Sequence, residues 1–210
     1  MTETPATIDQ YLENISALRH KITARNSAGE KLSLPDATKL SIELIKRASQ
    51  DGGKIIFIGN GGSAAIASHM AVDFSKNGGM PAVCFNDAVA ITCLTNDLGY
   101  EEVFSQPIRM LAKSNDVLVA ISSSGQSRNI INAVKAAHSI HMNVITLSGF
   151  DEANLLIKEG NINFHVPSTR YGAVEITHLT LCHALLDLIL GKTTPDDIIN
   201  NIFSHMCVGK

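Results

Sequence analysis

Apolar side chains recur at Ile8, Tyr11, Leu12, Ile15, Leu18 and Ile22 with charges between them, and this spacing predicts a one-faced helix over residues 8–26. Asn26-Ser27-Ala28-Gly29-Glu30 breaks the pattern. Ser33-Leu34-Pro35-Asp36 then opens a second helix, with Pro35 in a first turn, and Leu40, Ile42, Ile45 and Ala48 line it as far as Asp51-Gly52-Gly53. From Lys54 the texture changes. Ile55-Ile56-Phe57-Ile58 is a short continuous apolar run ending in glycine, which predicts a strand covered on both faces. An alanine-rich helix over 63–74, a strand over 81–85 and a mixed helical region over 88–110 follow. Residues 116–121 give a second buried strand, succeeded by a serine-rich turn and a helix over 128–141. Two further strands are predicted over 143–147 and 162–166, and one long helix over 172–190.

Strands alternating with helices predict βαβ units and a parallel sheet with helices on both sides. The chain shows no repeat or linker, so 1–210 reads as one domain. Residues 1–52 form a helical N-terminal segment appended for oligomerisation, 53–190 the α/β core, and 191–210 a tail with a helical look at Ile198, Ile199, Ile202 and Phe203. An amphipathic helix with no partner in its own chain packs on another subunit, so a homo-oligomer is expected.

Apolar residues are 45% of the chain and charged residues 18%, which excludes a disordered chain. A net charge of −3 with no block of lysines or arginines argues against a nucleic-acid partner. Apolar runs such as 117–121 are too short to span a bilayer, and residues 1–7 show neither a basic start nor an apolar stretch, so no membrane partner or secretory signal is expected. The four cysteines, Cys84, Cys93, Cys182 and Cys207, lie far apart with no C-x-x-C spacing and read as reduced thiols of a cytoplasmic protein.

Two strand-to-helix loops carry the candidate chemistry. In Gly59-Asn60-Gly61-Gly62-Ser63-Ala64, glycines let a ligand approach the backbone, and the N–H groups of the next helix favour an anion. The loop also fits G-x-G-x-x-A, and Asp87 stands near the end of the next strand, where a dinucleotide's ribose would be held. The second loop, Ser122-Ser123-Ser124-Gly125-Gln126-Ser127, offers four hydroxyls where a helix cap needs one. One phosphate and a small polar molecule fit this pair of loops better than a dinucleotide, which expects a single glycine fingerprint. Beyond the first loop, His69 and Asp73 stand four apart on one helix face. On the late helix Glu175 is three residues before His178 and eight before His183, and helical geometry alone leaves either histidine as its companion. Two histidines and two carboxylates, if they converge, make a site for zinc or a similar ion. Asp97, in Thr95-Asn96-Asp97-Leu98-Gly99-Tyr100, is a further polar candidate.

These motifs, from Gly59-Asn60-Gly61-Gly62-Ser63 and His69 with its acid, through Thr95 to Tyr100, residues 121–127 and Asn143-Val144-Ile145-Thr146-Leu147-Ser148-Gly149, resemble those of the phosphoheptose isomerase family of sugar-isomerase (SIS) domain proteins, in order and spacing over residues 8–190. The resemblance implies a flavodoxin-like sheet and a homotetramer whose N-terminal helices form a central bundle. It implies conversion of sedoheptulose 7-phosphate to a glycero-manno-heptose 7-phosphate, with zinc, in heptose biosynthesis. Carried over by position, Ser63, Ser122, Ser123, Ser124 and Ser127 hold the phosphate and nearby hydroxyls with Gly61 and Gly62. Asn60, Asp97 and Glu175 contact the sugar. His69, Asp73, Glu175 and His183 form the metal set, with Asp73 and His183 as the acid/base pair, so the resemblance selects His183 over His178. The chain departs from the family in three places: Asp73 replaces a glutamate, Glu175 a glutamine, and Gly172-Ala173 an Asp-Arg pair. The second reading is a non-catalytic SIS adaptor of the kind that associates with the DnaA initiator, or a sugar-phosphate-binding regulator. The third is a nicotinamide-dependent reductase resting on residues 59–64 and Asp87.

Overall fold

Continuous β-branched and aromatic runs fix the centre of the molecule. In a computed structural model, which describes residues 5–191, the apolar runs form β3 (Ile55–Gly59), β5 (Val117–Ser122), β6 (Asn143–Gly149) and β7 (Ile162–Val166), each buried on both faces save one end residue of β6. The short β4 (Ala82–Cys84) lies beside β3, and all five run parallel. Asp116, fully buried just before β5, accepts from the Lys54 and Lys113 N–H groups at 2.8 Å and pairs with Lys54 Nζ at 2.6 Å, which ties the entry of β5 to that of β3.

The N-terminal segment departs from expectation. Its helix, α1 (Ile8–Leu18), is capped by the Thr7 hydroxyl and ends well before residue 26. Thr23–Asn26 is instead a strand, β1, antiparallel to β7, and a turn held by Asn26 Oδ1 returns the chain as β2 (Lys31–Leu32). Pairing won over helical periodicity here because β7 would otherwise present a bare edge, and Ala24 is buried against it. The sheet is therefore mixed, in the order β2-β1-β7-β6-β5-β3-β4. The second helix, α2 (Leu34–Gln50), buries Ala37, Ser41, Ile45 and Ala48 on the sheet, so it is a layer of the domain and not an appendage. Only α1, which buries no residue and exposes Ile8 and Leu12, keeps the character predicted for the whole 1–52 segment.

One face of the sheet is covered by α2, α3 (Gly62–Lys76) and α7 (Tyr171–Leu190). The other is covered by α5 (Ser105–Leu111) and α6 (Arg128–Ser139), and the shallow helix α4 (Ala88–Leu98) packs only Ile91 and Leu94 against this layer. Helix α7 is long and apolar enough to cross a membrane, with a hydropathy of 1.5, yet it packs Val174, Cys182, Leu185 and Leu186 into the domain core and carries Glu175, His183 and Asp187. Its composition is that of a core helix. The helical pattern at Ile198, Ile199, Ile202 and Phe203, and Cys207, lie outside the described residues.

The five parallel strands, taken alone, follow the flavodoxin-like order 2-1-3-4-5. Such a sheet binds ligands beyond the carboxyl ends of its strands where the winding reverses, here between β3 and β5. The two loops singled out from sequence leave those two strands.

Candidate functional site at the β3–β5 crevice

The first loop turns because its glycines permit it. A side chain at Gly59 would press into the backbone of Ser63, and Gly61 adopts φ +55° as the N-cap of α3, contributing no side-chain bond to that helix end. In the second loop Gly125 takes φ +61° and closes a turn by donating to the Ser122 carbonyl at 3.1 Å. Ser122 Oγ donates to Ser127 Oγ at 3.4 Å, and Ser124 Oγ accepts from the Gln126 N–H at 3.2 Å. Ser127 stands at the N-cap of α6 without using its hydroxyl as a cap, and Ser123 Oγ is buried with no hydrogen-bond partner. Together with Asn60, Ser63, Tyr171 and Glu175 these serines line a cavity of about 140 Å³. A pocket of hydroxyls at a helix N-terminus, with Ser123 Oγ unpartnered and the Ser127 proton still to give, suits a phosphate.

Two turns along α3, a second cluster forms against α7. His69 Nε2 lies 3.3 Å and His183 Nδ1 3.8 Å from the same oxygen of Asp73. The two rings meet edge-on with centroids 5.3 Å apart, and one ligand atom from each of the three residues falls within 4.8 Å of the others. Asn77, one turn further, donates to the other Asp73 oxygen at 3.1 Å and holds the carboxylate's plane. Burial pushes the His183 imidazole below its ordinary pKa; Asp73 opposes this, His69 reinforces it and Asp187 opposes it. His183 therefore enters neutral solution as an uncharged ring with one N–H to give. Two imidazoles and a carboxylate, only half buried, are the donor set of a three-ligand zinc site that keeps an open position.

Comparison with known proteins fits this geometry. The SIS domain family matches residues 10–149. A phosphoheptose isomerase of Neisseria meningitidis is 39% identical over 176 residues, covering 80% of this chain and 88% of that protein. The structure of a phosphoheptose isomerase from Neisseria gonorrhoeae superposes with a TM-score of 0.75 at 34% identity, covering 87% of this chain and 97% of that one. One from Francisella tularensis gives 0.74 at 28% identity, covering 87% and 95%. The chain belongs to the phosphoheptose isomerase family of SIS-domain proteins.

Within that family frame, some of the expected residues do not converge. Glu175, expected as a fourth metal ligand, is absent from the His69–Asp73–His183 cluster. Its carboxylate instead packs on Gly62, at the start of α3, so closely that a side chain at position 62 would overlap it. The reason is helical rise: Glu175 precedes His183 by eight residues, which is about 12 Å along α7. Gly62 is accordingly covered rather than open to a ligand. Asp97 sits on the exposed face of α4, bonded to Asn96 Nδ2 at 2.8 Å, and does not line the serine cavity. Asp87 accepts from Ala90 N–H at 2.9 Å as the N-cap of α4, which takes away the ribose ligand that the reductase reading required.

His178, which spacing alone left as an alternative to His183, goes to the core. Its Nε2 donates to the Ser148 carbonyl at 3.0 Å, its Nδ1 is buried without a partner, and burial lowers its pKa to about 4. Between that value and the ordinary 6.5, the unfolded chain binds a proton that the folded chain refuses. Stability is thus full above pH 6.5 and falls as the pH drops towards 4, by roughly 3 kcal/mol from this group. Urea titrations at pH 7.5 and 4.5 should show His178→Asn losing much less stability across that interval than the unsubstituted protein does.

Three residues of the site were not singled out as site residues from the sequence. Asn77 is one. The others are Asn129 and Tyr100, which bond to Asn60 from α6 and from the turn Tyr100–Glu102.

Proposed function

We propose that this chain interconverts sedoheptulose 7-phosphate and a glycero-manno-heptose 7-phosphate. The observation that carries the reading is the division of labour along the α3–α7 pair. A hydroxyl-lined cavity lies at one end, and His69, Asp73 and His183 lie at the other. A seven-carbon ketose phosphate carries its carbonyl several bonds from its phosphate, as a site with a separate anion end and proton-transfer end requires.

The reaction is a proton shift through an enediol. With the phosphate among Ser122, Ser123, Ser124 and Ser127, Asp73 takes the proton from the carbon beside the carbonyl while His183 gives its N–H proton to the carbonyl oxygen. The proton held by Asp73 then returns to the former carbonyl carbon, and His183 recovers its proton from the neighbouring hydroxyl, so no atom is gained or lost. A neutral imidazole and an anchored carboxylate can do this near pH 7. His69, Asp73 and His183 would hold zinc, which would supply polarisation of the carbonyl and stabilisation of developing negative charge. Asn60 faces the sugar.

The protein is read further as a cytoplasmic homotetramer. The described cysteines, Cys84, Cys93 and Cys182, are all free thiols, and the apolar surface of α1 supports contact between subunits. The test is turnover of ketose phosphates of five to seven carbons by protein purified without chelator, together with its metal content. Turnover of the seven-carbon substrate with about one zinc per chain is expected. Zinc-free protein that ignores every sugar phosphate but captures a replication initiator would favour the adaptor reading.

A further inference from the structure

Among the described residues, Asn60 alone lines both the serine cavity and a second cavity, of about 310 Å³, walled by Ser68, Asn86, Ile91, Val103 and Phe104 among others. Its amide is heavily committed. Asn60 Nδ2 donates to Asn129 Oδ1, Asn129 Nδ2 donates to Asn60 Oδ1, and the Tyr100 hydroxyl donates to that same Oδ1, all at 2.9 Å. Asn129 Oδ1 also accepts from the Ile130 backbone N–H at 2.9 Å, which fixes the Asn129 amide; its Nδ2 must then donate, so the atom it meets on Asn60 is the oxygen, and the Tyr100 hydroxyl donates to that oxygen. One N–H of Asn60 remains, on the nitrogen.

Tyr100 is itself held in place. It follows Gly99, at φ +88°, and opens the turn Tyr100–Glu102. That turn is fastened to α6 by Arg128 on Glu101 at 3.1 Å, and by Asn132 on the Glu101 carbonyl at 3.3 Å and Glu102 Oε1 at 3.2 Å. The ring projects from this anchored turn onto Asn60 while remaining half exposed, so its hydroxyl is not needed to complete the core.

We propose that Tyr100 is a positioning residue for sugar recognition: its hydroxyl fixes the Asn60 amide so that the free N–H addresses a sugar hydroxyl. This rests on the reading above that Asn60 faces the sugar. The Tyr100 bond acts on the sugar end of the ligand and not on its phosphate.

The experiment uses the full chain carrying His183→Gln, in which turnover is slow enough to measure binding, and measures dissociation constants for sedoheptulose 7-phosphate and for inorganic phosphate. Adding Tyr100→Phe should weaken the sugar phosphate about fivefold, the loss of one ordinary hydrogen bond, and leave inorganic phosphate unchanged. In the otherwise unsubstituted enzyme the same change should raise KM and spare kcat. In an Asn60→Ala background the Tyr100→Phe effect should vanish, because there is no amide left to orient. Equal weakening of both ligands, no weakening of the sugar phosphate, or a Tyr100→Phe penalty that persists without Asn60 would each overturn the proposal. If the unsubstituted protein fails to turn over sedoheptulose 7-phosphate, it is the function reading that falls.

Discussion

His183→Gln should lower kcat by about a factor of 10² to 10⁴, the range that a positioned proton-transfer group contributes, while inorganic phosphate binds as before. The separation of effects follows from where the residue stands. His183 lies against Asp73 and His69, about 12 Å of helix rise from Glu175 and the serine cavity. Glutamine keeps a donor of similar reach but cannot hold a proton in the way imidazole does, so the loss isolates proton transfer from packing. His183 is partly exposed, and the substitution leaves no buried void. Steady-state kinetics together with phosphate titration decides the matter: a variant with unchanged kcat would mean that His183 is not the acid.

Gly125→Ala should damage the other end of the site by a different route. Gly125 sits at φ +61°, which costs an L-residue about 1–2 kcal/mol. Its new carbon would also drive into the side chain of Asn154. Asn154 cannot swing aside freely, because it is buried and bonded to the Gly149 and Asp151 carbonyls and to the Ile157 N–H. Overpacking of that kind costs about 1–3 kcal/mol more. The expected outcome is a loss of roughly 2–5 kcal/mol of stability in urea titration, with phosphate binding lost in the fraction that folds. Unchanged phosphate affinity would show that the turn at Gly125 does not shape the cavity.

The parallel core was legible because its strands are written as uninterrupted apolar runs, such as Ile55 to Ile58 and Val117 to Ile121, which no surface element can carry. The β1–β2 hairpin was not. Thr23 to Asn26 is mostly half buried in the outer hairpin, and its pairing with β7 is information that lies some 140 residues away in the chain. Loops after strands announced themselves through glycine and serine, whose local roles are strong. Glu175 shows the limit of that approach. Spacing places it on the right helix, but only the parallel packing of α7 beside α3 reveals that it meets Gly62 and leaves His183 to the other end. The roles of Tyr100, present only as the end of the Thr95–Tyr100 motif, and of Asn129 were not legible, because their meaning is a contact with Asn60, and a single amide contact leaves no periodicity behind.

The chain's own residues 23–32 cap what would otherwise be the open flank of the sheet at β7, and the opposite flank, β4, is only three residues long. Strand-to-strand joining between copies is thereby blocked on one side and starved on the other. Any joining of copies then falls to helical surfaces, and the exposed Ile-Asn-Phe-His-Val ladder that invites fibrous stacking never forms while the hairpin stays in place.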